Sequence, residues 1–162
     1  RDNLAQPISM TSCAWIYPTN GNGGIFNSLS SSNKDGFYFG FYDVYNPTIY
    51  AADSDGGDWS LARTSSALTD STWNYVCVVM NGSANTGHVY INGVEISSGN
   101  LSGGAGGWYW GSNDLQIGGN MGNWNSNAEF DGKIEAVQIY NDVLTTAEIK
   151  SNFDAQRGRF GV

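Results

Sequence analysis

The stretch Gly36-Phe37-Tyr38-Phe39-Gly40-Phe41-Tyr42 decides how this chain folds. Phe37, Phe39 and Phe41 fall on one face of an extended segment, and Tyr38 and Tyr42 fall on the other. That is the period of two of a β-strand, not the 3.6 of a helix. Similar apolar runs, each bounded by Gly, Asn, Asp or Ser, recur on both sides of it. Before it they cover 8–17 and 24–29, and the run itself extends over 36–44. After it they cover 48–52, 59–64, 73–80, 87–91, 94–97, 115–119 and 133–140. Between Tyr90-Ile91 and Val94-Glu95-Ile96 stands Asn92-Gly93, a pair that tolerates the positive φ of a tight hairpin. Asn81-Gly82 marks a second turn. Only 145–155 reads as helix: Thr145 caps, Glu148 stands three residues on, and Ile149 and Phe153 share a face.

Composition agrees with short strands and tight turns. The chain has 162 residues, of which 40% are hydrophobic, 14% aromatic and only 14% charged, with 22 glycines. That supplies a core, excludes disorder, and suits a sandwich better than a helical bundle. No linker or compositional break divides 1–162, so it reads as a single domain. The formal net charge of −8 leaves no basic stripe for phosphate contacts, which excludes nucleic acid as a partner. No apolar run approaches the ~20 residues of a membrane span, so membrane insertion is not expected. The chain opens at Arg1 without methionine or signal-peptide pattern, which is expected of a processed or trimmed product. Cys13 and Cys77 each lie in an apolar strand-like run, where two buried free thiols are the expectation and a bridge the alternative.

Three stretches together carry a family resemblance. The first is Cys13-Ala14-Trp15-Ile16-Tyr17-Pro18. The second is Leu68-Thr69-Asp70-Ser71-Thr72-Trp73-Asn74-Tyr75-Val76, continuing through Met80-Asn81-Gly82 to Val89-Tyr90-Ile91-Asn92-Gly93-Val94. The third joins Leu115-Gln116-Ile117-Gly118-Gly119 to Phe130-Asp131-Gly132-Lys133-Ile134-Glu135-Ala136-Val137-Gln138-Ile139-Tyr140-Asn141, closing with Leu144-Thr145-Thr146-Ala147-Glu148-Ile149. In order and spacing they resemble the laminin-G-like (concanavalin A-like) jelly-roll family, in the branch found in bacterial surface proteins and phage proteins. The tail from Asn152 to Gly161 is similar to the endings of such domains in tailed phages. The resemblance implies an all-β fold, a two-sheet antiparallel sandwich with one short C-terminal helix. It also implies an opening strand of Phe-Asp-Gly type, for which Arg1 to Pro7 leave no room. Either that strand is lost or removed, or a neighbouring chain supplies it.

Candidate sites follow from residue chemistry. Trp108-Tyr109-Trp110 lies between glycines, and Trp124 lies in an asparagine-rich segment with Asn123 and Asn125; Asn113 is near the first group. Flat rings cover the C–H face of a sugar while amides bond its hydroxyls, so these residues are the expected carbohydrate site. The bland alternative is that the rings pack over the sandwich ends or contact other subunits. Trp15 and Trp73 lie in strand-like runs and read as core. Asp53, Asp55 and Asp58 share a glycine-rich loop with oxygen ligands of the kind Ca²⁺ takes, and a structural Ca²⁺ is common in related jelly rolls. The resemblance adds Asp131 and Glu135, at positions where the family often carries acids. The bland alternative for each acidic set is a solvated turn.

The series Glu129, Asp131, Glu135 is similar to the acid strand of jelly-roll glucanases. Six residues of strand would separate Glu129 from Glu135 by roughly 20 Å, too far for a glycosidase pair at ~5–9.5 Å, so no catalytic residues are assigned. His88, the sole histidine, has no nucleophile or metal partner in the sequence and reads as a surface residue. The expected function is a non-enzymatic module that binds glycans, displayed on a virion surface or another extracellular assembly. The alternative is a purely structural virion protein, a capsid-decoration or fibre subunit, whose loops contact other subunits.

Overall fold

The computed structural model describes residues 9–20, 23–28, 36–43, 46–52, 59–63, 68–100, 115–119 and 129–162. The strands are β1 (Ser9–Asn20), β2 (Gly23–Asn27), β3 (Gly36–Asp43), β4 (Asn46–Ala52) and β5 (Trp59–Arg63). They continue with β6 (Asn74–Asn81), β7 (Thr86–Ile91), β8 (Val94–Asn100), β9 (Gln116–Ile117) and β10 (Asp131–Tyr140), and helix α1 (Thr146–Phe160) follows. Each strand coincides with one of the alternating runs, shifted by a few residues at its ends. Two antiparallel five-stranded sheets result, in the orders β10-β1-β6-β7-β8 and β5-β4-β3-β2-β9. We call them sheet A and sheet B.

The interior between the sheets follows from strand alternation. Met10, Ala14 and Ile16 of β1 and Val76, Val78 and Met80 of β6 point inward from sheet A. They meet Ile25, Phe26, Phe39 and Phe41 from sheet B. Tyr38 lies on the opposite face of β3 and is itself buried, its hydroxyl donating to the Phe41 carbonyl at 3.0 Å. Phe37 and Tyr42 are side chains outside the described set.

The other face of sheet A is buried as well. Cys13, Trp15, Tyr75, Cys77, Val79 and Tyr90 form a second core there with Ile149, Phe153 and Phe160 of α1. Trp15 is fully buried, stacked on Phe160 at 4.1 Å between ring centres, and its indole N–H donates to Gln156 at 3.1 Å. Sheet A is thus the middle of three layers, helix, sheet A and sheet B, which is why β1 and β6 are apolar on both faces.

Two expectations need correction. Cys13 and Cys77 are not free thiols: they form a disulfide with Cα atoms 4.1 Å apart. The two residues are direct partners in the β1–β6 ladder and point to the same face, which brings their sulfurs together. The helix also runs past residue 155 to Phe160. Arg157 and Arg159 occupy its last turn, where cations favour the dipole, and Gly161 closes it at φ 73°. The hairpin expectation holds, with Asn92 at φ 52° and Gly93 at φ 77°.

Candidate functional site

The expected carbohydrate residues Trp108, Tyr109, Trp110, Asn113, Asn123, Trp124 and Asn125 lie outside the described residues, as do Asp53, Asp55 and Asp58. The strand ends that flank them are described. Asn100, before the Trp108 segment, pairs with Thr86, and Gln116, after it, pairs with Asn27. Ala52 and Trp59, on either side of the acidic segment, pair with each other beyond the Gly36 end of β3. The Trp124 segment is anchored at Gly119 and Glu129. Phe130 N–H donates to the Gly118 carbonyl, and Asp131 pairs with Asn20. Strand directions place these last anchors at the Asn20–Gly23 end of the sandwich and the others at the opposite end. The chain topology therefore does not bring the anchors of the two tryptophan segments together.

Asp131 and Glu135 are described. They lie four residues apart on β10, opposite Asn20 and Trp15. About 13 Å of strand separates such positions, whereas Ca²⁺ ligands approach within ~2.6 Å of one ion. Each has its own protein partner: Asp131 accepts from the Thr19 hydroxyl at 2.8 Å, and Glu135 pairs with Arg159. Among the described residues no group of three His, Cys, Asp or Glu side chains gathers as metal ligands. Glu129 is exposed and precedes β10.

The ladder registers align the outer face of sheet A in rows across the strands. One row runs Tyr140, Thr11, Val79, His88. The next is Gln138, Cys13, Cys77, Tyr90, Glu95. Then comes Glu135, Trp15, Tyr75. His88 is half-buried, bonded to Glu95 at 2.9 Å and to Thr86 at 3.1 Å. The hydrogen bond from His88 holds the Glu95 carboxyl below its ordinary range, against the opposing effect of desolvation. Burial pushes the neighbouring Tyr90 hydroxyl up. This network ties β7 and β8 to α1 through Thr146, 3.1 Å from Tyr90, and is structural.

The last row of this face is Lys133, Tyr17 and Trp73, at the Asn20 end. Lys133 and Tyr17 are ladder partners, and the Tyr17 and Trp73 rings meet edge to face at 5.6 Å. Trp73 was expected inside a strand and in the core. It stands one residue before β6 and packs, partly buried, on the rim of the second core, its ring against Phe160 at 5.0 Å. Sequence reasoning missed this row because its members come from three segments far apart in the chain, and only the β10-β1-β6 order sets them side by side.

Comparisons with known proteins agree with this architecture. No curated protein sequence matches the chain. Among solved structures, the carbohydrate-binding module CBM40 of the Ruminococcus gnavus IT-sialidase is similar at 18% identity. That match covers 91% of this chain and 84% of the module, with a TM-score of 0.73. The heptameric SAP-like pentraxin of Limulus polyphemus is similar at 19% identity, covering 88% and 68%, with a TM-score of 0.67. Domain 4 of an extracellular GH43 arabinanase from Geobacillus stearothermophilus, in complex with arabinotriose, is similar at 20% identity, covering 91% and 68%, with a TM-score of 0.65. At these identities the likenesses show the fold. The family model described as the concanavalin A-like lectin/glucanases superfamily matches residues 2–150, nearly the whole sandwich. The chain belongs to the concanavalin A-like lectin/glucanases superfamily.

Proposed function

We propose that the chain is a non-catalytic carbohydrate-binding module that works outside the cell, on a virion or another displayed assembly. The observation that carries this reading is the nature of its structural neighbours. A CBM40 bound to α2,3 sialyllactose and an arabinanase domain bound to arabinotriose each match about nine-tenths of the chain, 90% and 91%. Residue chemistry supports it in two segments anchored at opposite ends: Trp108, Tyr109 and Trp110 as stacking rings with Asn113 as a hydroxyl partner, and Trp124 with Asn123 and Asn125. The Cys13–Cys77 bridge supports an oxidising compartment. Among the described residues no helix is long and apolar enough to cross a membrane. A glycan array tests the reading: the wild-type chain binds a defined set of glycans, and Trp110→Ala weakens that binding at least tenfold. No array signal, or full binding by the variant, would remove the loop site. A Ca²⁺ ion on Asp53, Asp55 and Asp58 belongs to the same proposal, and added Ca²⁺ then raises the melting temperature by several degrees, reversibly with EGTA; no shift would eliminate it.

One observation favours the second reading, a structural subunit. Among the described residues β10 is an edge strand of sheet A, ten residues long, and none of its residues is fully buried, with Ile139 46% exposed. An edge of that kind accepts a strand from a neighbour. Light scattering decides between the two, since a monomer at micromolar concentration leaves the binding module alone standing.

A further inference from the structure

We propose that the row Lys133, Tyr17, Trp73 is a binding site for a sugar that carries a carboxylate. Helix α1 covers the outer face of sheet A as far as the row of Glu135, Trp15 and Tyr75, and Phe160 and the Gly161 cap end it there. Among the described residues, α1 meets the next row only where Phe160 touches the edge of Trp73. Tyr17 and Trp73 are half-buried and Lys133 is exposed. The two rings are fixed, Trp73 by edge-on contacts with Tyr17 and Phe160, and Tyr17 by its place in the β1 ladder. Fixed rings at a surface supply contact area with little ordering cost.

The charge on this row is specific. Among the described residues on this side, Lys150 and Arg157 pair with Asp154, and Arg159 pairs with Glu135. The Lys133 ammonium instead lies 5.1 Å from the Tyr17 ring centre, and no described carboxylate forms an ion pair with it. It therefore retains hydrogen-bond donors for an anion. One step further along the strands stand Asp131 and Thr19, exposed and bonded to each other at 2.8 Å. Ser71 comes alongside, its N–H donating to the Pro18 carbonyl at 2.9 Å. One indole, a ring set edge-on to it that carries a cation, and hydroxyl and carboxylate groups beside them match three parts of an acidic pyranose. The apolar sugar face lies on Trp73, the sugar carboxylate meets Lys133 above the Tyr17 ring, and ring hydroxyls meet Asp131, Thr19 or Ser71. A long polyanion would be repelled by the net charge of −8. For one acidic sugar that repulsion is screened beyond ~8 Å at physiological salt, and the adjacent cation prevails.

This inference rests on the glycan-binding reading but fails separately from it. The test titrates the folded wild-type chain with α2,3-sialyllactose against lactose, and with a galacturonic acid trimer against its methyl ester. The indole N–H signal of Trp73 is followed by NMR. At least one acidic sugar is expected to move that signal and to bind tenfold or more tightly than its neutral counterpart. Lys133→Gln should abolish the preference, Lys133→Arg should restore most of it, and Trp110→Ala should leave it intact. Neutral and acidic sugars binding equally, or Lys133→Gln binding as wild type while Trp110→Ala removes everything, would overturn the site and leave the loop reading standing. No binding of any sugar, here or on the array, would overturn both.

Discussion

Ser12 is the clearest single position at which the interior departs from apolar packing. It is fully buried on the inward face of β1, opposite Val78 and Ile139, and among the described residues its Oγ is the buried side-chain oxygen without a hydrogen-bond partner. An unsatisfied hydroxyl in such a place costs about 1–3 kcal/mol. Ser12→Ala should therefore raise the unfolding free energy by about 1 kcal/mol in urea titration, and a loss of stability would show that the hydroxyl is in fact satisfied. Glycine has an identifiable role at Gly132, where φ is 145° and a Cβ would meet the Tyr17 carbonyl oxygen. That close approach brings β10 against β1 at the end where Lys133 and Tyr17 pair. Individual residues also mark where the sequence stops being legible. Trp73 opens a strand-like run and reads as core, yet its place on the rim of the second core depends on where Phe160 ends, which no local pattern states.

Helix α1 holds its place through both its ends and its apolar face. The Thr145 hydroxyl accepts from the Glu148 N–H at 3.3 Å, and the Glu148 carboxylate accepts from the Thr145 N–H at 2.8 Å. The Thr145 hydroxyl also donates to that carboxylate at 2.8 Å, and the two bonds the carboxylate accepts, the backbone one first, hold the Glu148 carboxyl below its ordinary range. A depressed carboxylate adds stability above its unfolded pKa, and that stability is lost as pH falls through the lowered folded value. Glu148→Gln should thus lower the melting temperature at pH 7, and the difference should shrink below about pH 4. A difference independent of pH would mean that the carboxylate's charge has no part in the cap. Thr145→Ala should cost about 1 kcal/mol by the same route. The beginning of this helix was legible because a capping box is local. Its end was not, because Arg157-Gly158-Arg159 has the composition of a tail and becomes helical when Phe160 stacks on Trp15.

The three-layer arrangement depends on which strands become neighbours. Apolar runs bounded by turn residues located the described strands, because a strand buried on one face alternates and one buried on both, such as β6, reads as a short continuous run. They could not show that β1 lies beside β6, and so they left Cys13 and Cys77 unpaired although they are 64 residues apart in sequence and adjacent in the ladder. Closing a loop of that length should contribute about 4 kcal/mol. The double variant Cys13→Ala, Cys77→Ala should lose a comparable amount in denaturant titration, and an unchanged midpoint would show that the bridge does not constrain the unfolded chain. For the same reason the candidate site was only partly readable. Its tryptophans and asparagines stand out in the sequence, whereas the Lys133, Tyr17, Trp73 row exists only once three distant segments lie side by side. The reading of the molecule as a binder without turnover is decided by incubating it with a polysaccharide panel and following retention and reducing ends together. Retention of selected polysaccharides with no new reducing ends is the predicted result. Reducing ends that accumulate with the wild-type chain and vanish with Glu129→Gln would contradict it.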